Sequence, residues 1–213
     1  TKLVISKNNI STIESISTLK GITSLDISVN KSFTDFKQLV AFKNLTELNV
    51  SGTGITTFSG ASGTTIHDGI EQLSKLEKLY AQDNLNISSA GLNSIYATYN
   101  NGKEIVPYLQ NIKVLNLSSI GVSGKRPTIT FSNFAKLTTL EELHLASNDI
   151  TNLSGLAKLE KLKYIDLANN KIQTNQMQYF IQKTTVNGES VVQTENTLKA
   201  SKIDLRGNDI IDV

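Results

Sequence analysis

One phrase recurs along the whole chain, and a chain built of repeats has its fold decided by the repeat before any local signal. It reads LKYIDLANNKI at 162–172 and LEELHLASNDI at 140–150, with LTELNVSGTGI at 45–55, ITSLDISVNKS at 22–32 and LEKLYAQDNLN at 76–86. Looser copies are IKVLNLSSIGV at 112–122, SKIDLRGNDI at 201–210 and the opening KLVISKNNI. The first aliphatic of each central pair falls at Leu3, Leu25, Leu48, Leu79, Leu115, Leu143, Ile165 and Ile203. The steps between them are 22, 23, 31, 36, 28, 22 and 38 residues.

The spacing inside one copy fits neither a helix nor a plain strand. It predicts a short x-L-x-L-x strand with two aliphatics facing a core and three side chains facing out. A turn must follow, and there six of the eight copies place an asparagine within the apolar series: Asn8, Asn30, Asn84, Asn148, Asn170 and Asn208. A backbone turning inside a core leaves N–H and C=O groups unpaired, at about 1–3 kcal/mol each. A side-chain amide supplies both donors and an acceptor, so these six asparagines are expected to form a structural ladder. Thr53 and Ile120 stand at the same position, and only the threonine can hydrogen-bond. Asn86 stands where an aliphatic is due, with Leu85 and Ile87 beside it. The turn after the fourth strand is therefore predicted to be displaced by one residue.

The grammar L-x-x-L-x-L-x-x-N-x-L resembles the leucine-rich repeat over nearly the whole chain. The 22-residue copies, with return paths such as NDITNLSGLAKLEKLKYIDL, resemble the repeat class of the bacterial internalins. The resemblance implies an α/β fold: a single leucine-rich-repeat domain over 1–213, with about eight repeats wound as a right-handed solenoid. Its parallel strands would line a concave face, and its return side would mix 3₁₀ turns, α-helix and loop.

The long repeats carry a second pattern. Asn84 to Asn101 and Asn170 to Asn187 are both 17 residues, and each second asparagine precedes a glycine, in TYNNGKEIV and TTVNGESVV. Asn-Gly between alternating apolar residues is a strong hairpin signal. The intervening segments put Ile87, Gly91, Leu92, Ile95 and Tyr96 on one helical face, and Met177, Phe180 and Ile181 on another. The fourth and seventh repeats are thus each predicted to hold a helix and then a hairpin, over 97–106 and 183–193. The third repeat inserts SGASGTT at 59–65, a flexible loop by composition. Asp68 and Glu71 after it read as a capping pair, and His67 as a loop residue.

Composition narrows the function. The 213 residues carry 21 basic and 19 acidic groups, a net charge of +2, so no global field points to nucleic acid. Only Arg126 and Arg206 are arginines, and no basic run is interleaved with aromatics. No apolar run reaches transmembrane length, so direct membrane insertion is not expected. The absence of cysteine rules out disulfide caps and a cysteine nucleophile. The chain opens inside a strand and stops one turn after the last, and is read as a fragment of a larger protein.

The outward strand positions form columns. The middle column reads Val4, Asp26, Asn49, Tyr80, Asn116, His144, Asp166 and Asp204. The preceding column reads Lys2, Ser24, Glu47, Lys78, Val114, Glu142, Tyr164 and Lys202. At about 4.8 Å per strand, eight strands span roughly 34 Å, the width of a protein footprint and too open for a small-molecule pocket. Asp26, Asn49, Tyr80, Asn116, His144, Tyr164, Asp166 and Asp204 are the candidate partner contacts, with the two tyrosines and His144 foremost because aromatics anchor interfaces. Ser118, His144 and Asp166 lie on successive strands, yet a flat wet surface with no oxyanion donors does not suit a catalytic triad. Asp166 and Asp204 could hold a cation, but Lys202 and Arg206 beside them favour a surface charge cluster. No catalytic residue, cofactor or metal is expected. The reading is a monomeric, non-enzymatic module that binds a protein or glycan, in an extracellular or bacterial surface protein. A cytoplasmic scaffold that positions a partner enzyme is the alternative.

Overall fold

A computed structural model describes the chain except for residues 60–68, 101, 103–104, 123, 181, 187–188, 194–197 and 212–213. It is an α/β leucine-rich-repeat solenoid built on one eight-stranded parallel sheet. The strands in chain order are β1 (Lys2–Val4), β2 (Ser24–Asp26), β3 (Glu47–Asn49), β4 (Lys78–Tyr80), β5 (Thr98–Asn100), β6 (Ile105–Pro107), β7 (Val114–Asn116), β8 (Glu142–His144), β9 (Tyr164–Asp166), β10 (Gln182–Val186), β11 (Glu189–Gln193) and β12 (Lys202–Asp204). The main sheet runs β1-β2-β3-β4-β7-β8-β9-β12. Its register pairs the repeats position by position, with Leu25 opposite Leu48 and Leu143 opposite Ile165. The ladder continues past each regular strand, since Ile27 N–H donates to Asn49 C=O at 3.0 Å and Val29 N–H to Ser51 C=O at 2.8 Å.

Both central aliphatics of each internal strand are sealed off, including Leu25 and Ile27, Leu115 and Leu117, and Ile165 and Leu167. Each such side chain contributes about 1.5–3 kcal/mol by leaving water. Bulky rings pack between the 3₁₀ turns and short helices that link the strands. Phe36 meets Phe58 edge-on at 5.6 Å, and Tyr96 meets Phe134 at 5.0 Å. The turn after the fourth strand keeps its place, with Asp83 left-handed before Asn84, and only the aliphatic that follows shifts by one: Ile87 is buried and Leu85 is exposed. Phe33 fills the same slot in the second repeat, three residues after Asn30.

Both hairpins form, β5 with β6 and β10 with β11, each antiparallel. Their Asn-Gly turns fall partly outside the described residues, but Gly102 has the positive φ of 88° that such a turn requires. The fourth repeat's helix is short. Helix α1 (Ser89–Leu92), capped by Ser88 Oγ accepting from Gly91 N–H, runs on into a 3₁₀ turn over Asn93–Tyr96. The seventh repeat departs from expectation, because Thr174–Phe180 is 3₁₀ rather than α. The 59–65 loop, His67 and Asp68 lie largely outside the described residues. Glu71 alone of the proposed capping pair is seen, accepting from Gly69 N–H at 3.0 Å.

The β5–β6 hairpin leaves and rejoins the solenoid at one point, where Tyr108 N–H donates to Ala97 C=O at 3.1 Å. Replacing 98–107 with a Gly-Gly link is expected to keep the fold, with a stability change within about 1 kcal/mol. Loss of the cooperative melting transition would show the hairpin to be part of the core.

The turn after every strand of the main sheet uses one left-handed residue just before the ladder position. These are Lys7, Val29, Gly52, Asp83, Ser119, Ser147, Asn169 and Gly207, with φ between 55° and 68°. Only Val29 is β-branched, and a β-branched residue in that region is strained by about 1–2 kcal/mol. Val29 is also 43% exposed, so little packing opposes a change. Val29→Asn is expected to raise stability by about 1 kcal/mol in urea titration. An unchanged or lower midpoint would contradict the strain.

Candidate functional site

From Asn30 onward the ladder asparagines act backwards, each amide serving the preceding repeat. Asn170 Oδ1 accepts from Asn148 N–H at 2.9 Å and Ile150 N–H at 3.0 Å. Its Nδ2 donates to Leu145 C=O at 3.0 Å and Leu167 C=O at 2.9 Å. Asn30 repeats this arrangement in full, Asn84, Asn148 and Asn208 donate to two carbonyls likewise but accept one backbone N–H each, and Asn8 at the sheet's first strand donates only locally. At the copy with Ile120, which has no amide, Arg126 Nη1 donates to Ile120 C=O and Gly121 C=O, both at 3.2 Å.

The ladder occupies one edge of the sheet, which leaves the outward strand positions as the candidate site. The register places the two columns as predicted, from Lys2 opposite Ser24 to Lys202 opposite Tyr164. Most of the carboxylates and amides there have a backbone task that the sequence reading did not assign. Asp26, Asn49, Asn116, Asp166 and Asp204 each accept, through Oδ1, the N–H two residues on, at 2.9–3.1 Å. Such Asx turns bend the chain out of the strand. Aspartate or asparagine at the last outward position of a strand was the available signal. Asp204 is the most committed: Arg206 grips both its oxygens, with Nη2 to Oδ2 at 2.6 Å, and holds its carboxyl down at about 2. This is the charge cluster expected there.

Tyr80, His144 and Tyr164 make no such turn. Tyr80 lies mid-sheet, half-buried, in register with Asn49 and Asn116. Tyr164 and His144 meet edge-to-face with ring centroids 5.0 Å apart. Lys202 Nζ sits 4.8 Å from the Tyr164 ring centroid, within cation–π range. Burial first, then the nearby Asp166 and Asp204 carboxylates, pushes the Tyr164 hydroxyl's pKa up. His144 Nε2 lies 3.8 Å from Glu142 Oε2 on its own strand, and Asp166 is its register partner on β9. The face therefore presents a fixed aromatic–cation cluster near one end of the sheet and a single aromatic near its middle. Lys202 and Glu142 could have been added to the candidates from the column alignment, which already set them beside Tyr164. Among the described residues no three His, Cys, Asp or Glu converge as metal ligands. No helix among them is long and apolar enough to cross a membrane.

The family model described as Leucine Rich repeats (2 copies) matches residues 138–176, which contain the two most regular copies. The fold is thus that of a leucine-rich-repeat solenoid, consistent with a protein-binding module. Its likeness is to the internalins. An internalin C2 from Listeria monocytogenes superposes with a TM-score of 0.66 at 23% identity, covering 100% of this chain and 74% of that one. The functional domain of InlJ from Listeria monocytogenes, described as including a cysteine ladder, gives a TM-score of 0.59 at 18% identity, over 99% of this chain and 45% of that one. The ladder here contains no cysteine. The ectodomain of a plant receptor kinase, GASSHO1/SCHENGEN3 from Arabidopsis thaliana, in complex with CASPARIAN STRIP INTEGRITY FACTOR 2, gives 0.50 at 21% identity, over 75% of this chain and 17% of that one. At these identities the likeness is one of fold. No curated protein sequence matches the chain.

Proposed function

We propose that this chain is a non-enzymatic recognition module that binds a protein partner across the open face of its sheet, as part of a bacterial surface or secreted protein. The observation that carries the reading is Tyr164, held between the His144 ring and the Lys202 ammonium on an otherwise small and polar face. A ring already fixed by its neighbours loses little entropy when a partner covers it. Tyr80, His144 and Tyr164 are the anchors, with Asp166, Asn116, Asn49 and Asp26 offering the polar atom their turns leave over. Asp204, saturated by Arg206, contributes charge rather than a free hydrogen bond. The surface assignment is supported by the likeness to internalins. The plant receptor ectodomain bound to its factor supports a protein ligand. The full-length gene tests the location, since a signal peptide and wall-attachment or secretion sequences accompany the repeats if it holds. Binding to the captured partner by the Tyr80→Ala/Tyr164→Ala variant tests the surface.

A further inference from the structure

We infer that a cleft between the fifth and sixth repeats, apart from the sheet's open face, binds a carboxylate carried on an extended peptide. The cleft is about 610 Å³, within the usual range for a ligand site. It exists because the fifth repeat departs from the others. Ile120 replaces the ladder amide, Arg126 donates to the Ile120 and Gly121 carbonyls, and the chain runs on through Pro127–Thr130 as one wall. The sixth repeat forms the opposite wall through Asp149–Asn152. At the base the walls meet where Gly155, at φ 89°, approaches Ser132 so closely that a Cβ would lie 3.0 Å from its nitrogen.

The charges are unequal. Arg126, Lys158 and Lys171 face a single carboxylate, Asp149. Asp149 is already committed: Lys171 Nζ lies 3.1 Å from Oδ1, and Arg126 Nε lies 3.6 Å from Oδ2. The hydrogen bond from Lys171 leads the effects that hold this carboxyl below the usual range. That leaves a net charge of two positive units in the cleft. Lys158, exposed at the end of the 3₁₀ turn Leu156–Lys158, has no ion partner among the described residues. An anionic group therefore enters against unbalanced positive charge.

The walls indicate what carries the anion. Pro127 and Ile129 turn inward while Thr128 and Thr130 are exposed, which is the alternation of an extended strand. Thr130 has extended backbone angles, φ −123° and ψ 116°. The N–H groups of Thr130 on this wall and Thr151 on the other donate to no protein acceptor among the described residues. Two N–H groups facing one cleft suit an added extended segment, whose own carbonyls can accept from them. A lone small anion would use the lysines and leave those N–H groups unused.

The test titrates the full chain with a blocked peptide, acetyl-Gly-Thr-Glu-Thr-Glu-Gly-amide, while following backbone amide shifts by NMR. The expected result is shifts centred on Gly124, Thr130 and Thr151, and affinity at least about tenfold above that of the peptide with both glutamates changed to glutamine. Lys158→Glu, at an exposed position, should weaken binding about fivefold or more without altering the melting temperature. Equal binding of the glutamine peptide overturns the proposal, as does indifference to Lys158→Glu or a shift pattern centred on Tyr80 and Tyr164. Free glutarate binding as tightly as the peptide overturns the peptide carrier, and the site is then one for simple carboxylates.

Discussion

Asn170→Ala is expected to lower stability by more than about 2 kcal/mol, and Asn148→Ala by a similar amount, for different reasons at each position. The carbonyls served by Asn170 each keep another donor, Ala168 C=O among them through Ser147 N–H at 2.9 Å. Leu145 C=O also accepts from Asn148 Nδ2 at 3.1 Å, and Leu167 C=O from Asn208 Nδ2 at 2.9 Å. Removing Asn170 therefore orphans only the Asn148 and Ile150 N–H groups, two buried donors at about 1–3 kcal/mol each. Asn148 accepts a single N–H, from Ile120, and donates to Leu117 C=O, which no neighbouring amide serves because Ile120 has none. Its loss orphans one donor and one acceptor. Thr53→Ala is the control. Its hydroxyl is 2.9 Å from Val50 C=O and 2.8 Å from Asn84 Oδ1, and both keep another partner when it is gone. That substitution should cost under about 1 kcal/mol. Urea titrations of the three variants check the order, and equal small losses would remove the ladder as an energetic feature.

The legible part of this protein is the part that repeats. Strand positions, register, the ladder and both columns followed from aligning the copies, because in a solenoid equivalent residues become neighbours. The same rule makes Asp149 and Lys171 adjacent, as each follows a ladder asparagine in consecutive repeats, and their 3.1 Å contact was readable though not read. Arg126 was not readable, since it sits in an insertion with no counterpart elsewhere. The seventh repeat's 3₁₀ segment escaped for another reason: apolar residues at Met177 and Phe180 are three apart, which suits a 3₁₀ turn and an α-helix alike. The dual use of Asp26, Asn49, Asn116, Asp166 and Asp204 was hidden because an outward position was equated with a free side chain. Local side-chain-to-backbone bonds compete with that equation wherever aspartate or asparagine ends a strand.

The Asx turns sharpen the expectation for the open face. With those side chains partly occupied by the backbone, the groups whose removal should cost a partner most are the rings. Tyr80→Ala and Tyr164→Ala are each expected to weaken binding by more than about 1 kcal/mol, roughly fivefold, when affinity for the captured partner is measured by interferometry. The two residues lie on β4 and β9, with β7 and β8 between them, so their losses should add within about 0.5 kcal/mol. Folding should not follow binding. Tyr164 touches His144 and Lys202 on the outward face, and the core beneath is closed by Leu143, Ile165 and Leu167. The melting temperature of the double variant should therefore stay within a few degrees of the parent. Lys202→Met separates two roles for the cluster. If the lysine only steadies the ring, the loss is small and insensitive to salt. If it also meets an acidic partner, the loss grows at low ionic strength, because charges on an exposed face are screened over about 10 Å at 0.1 M salt. Full-strength binding by the double tyrosine variant would place the partner elsewhere on the solenoid.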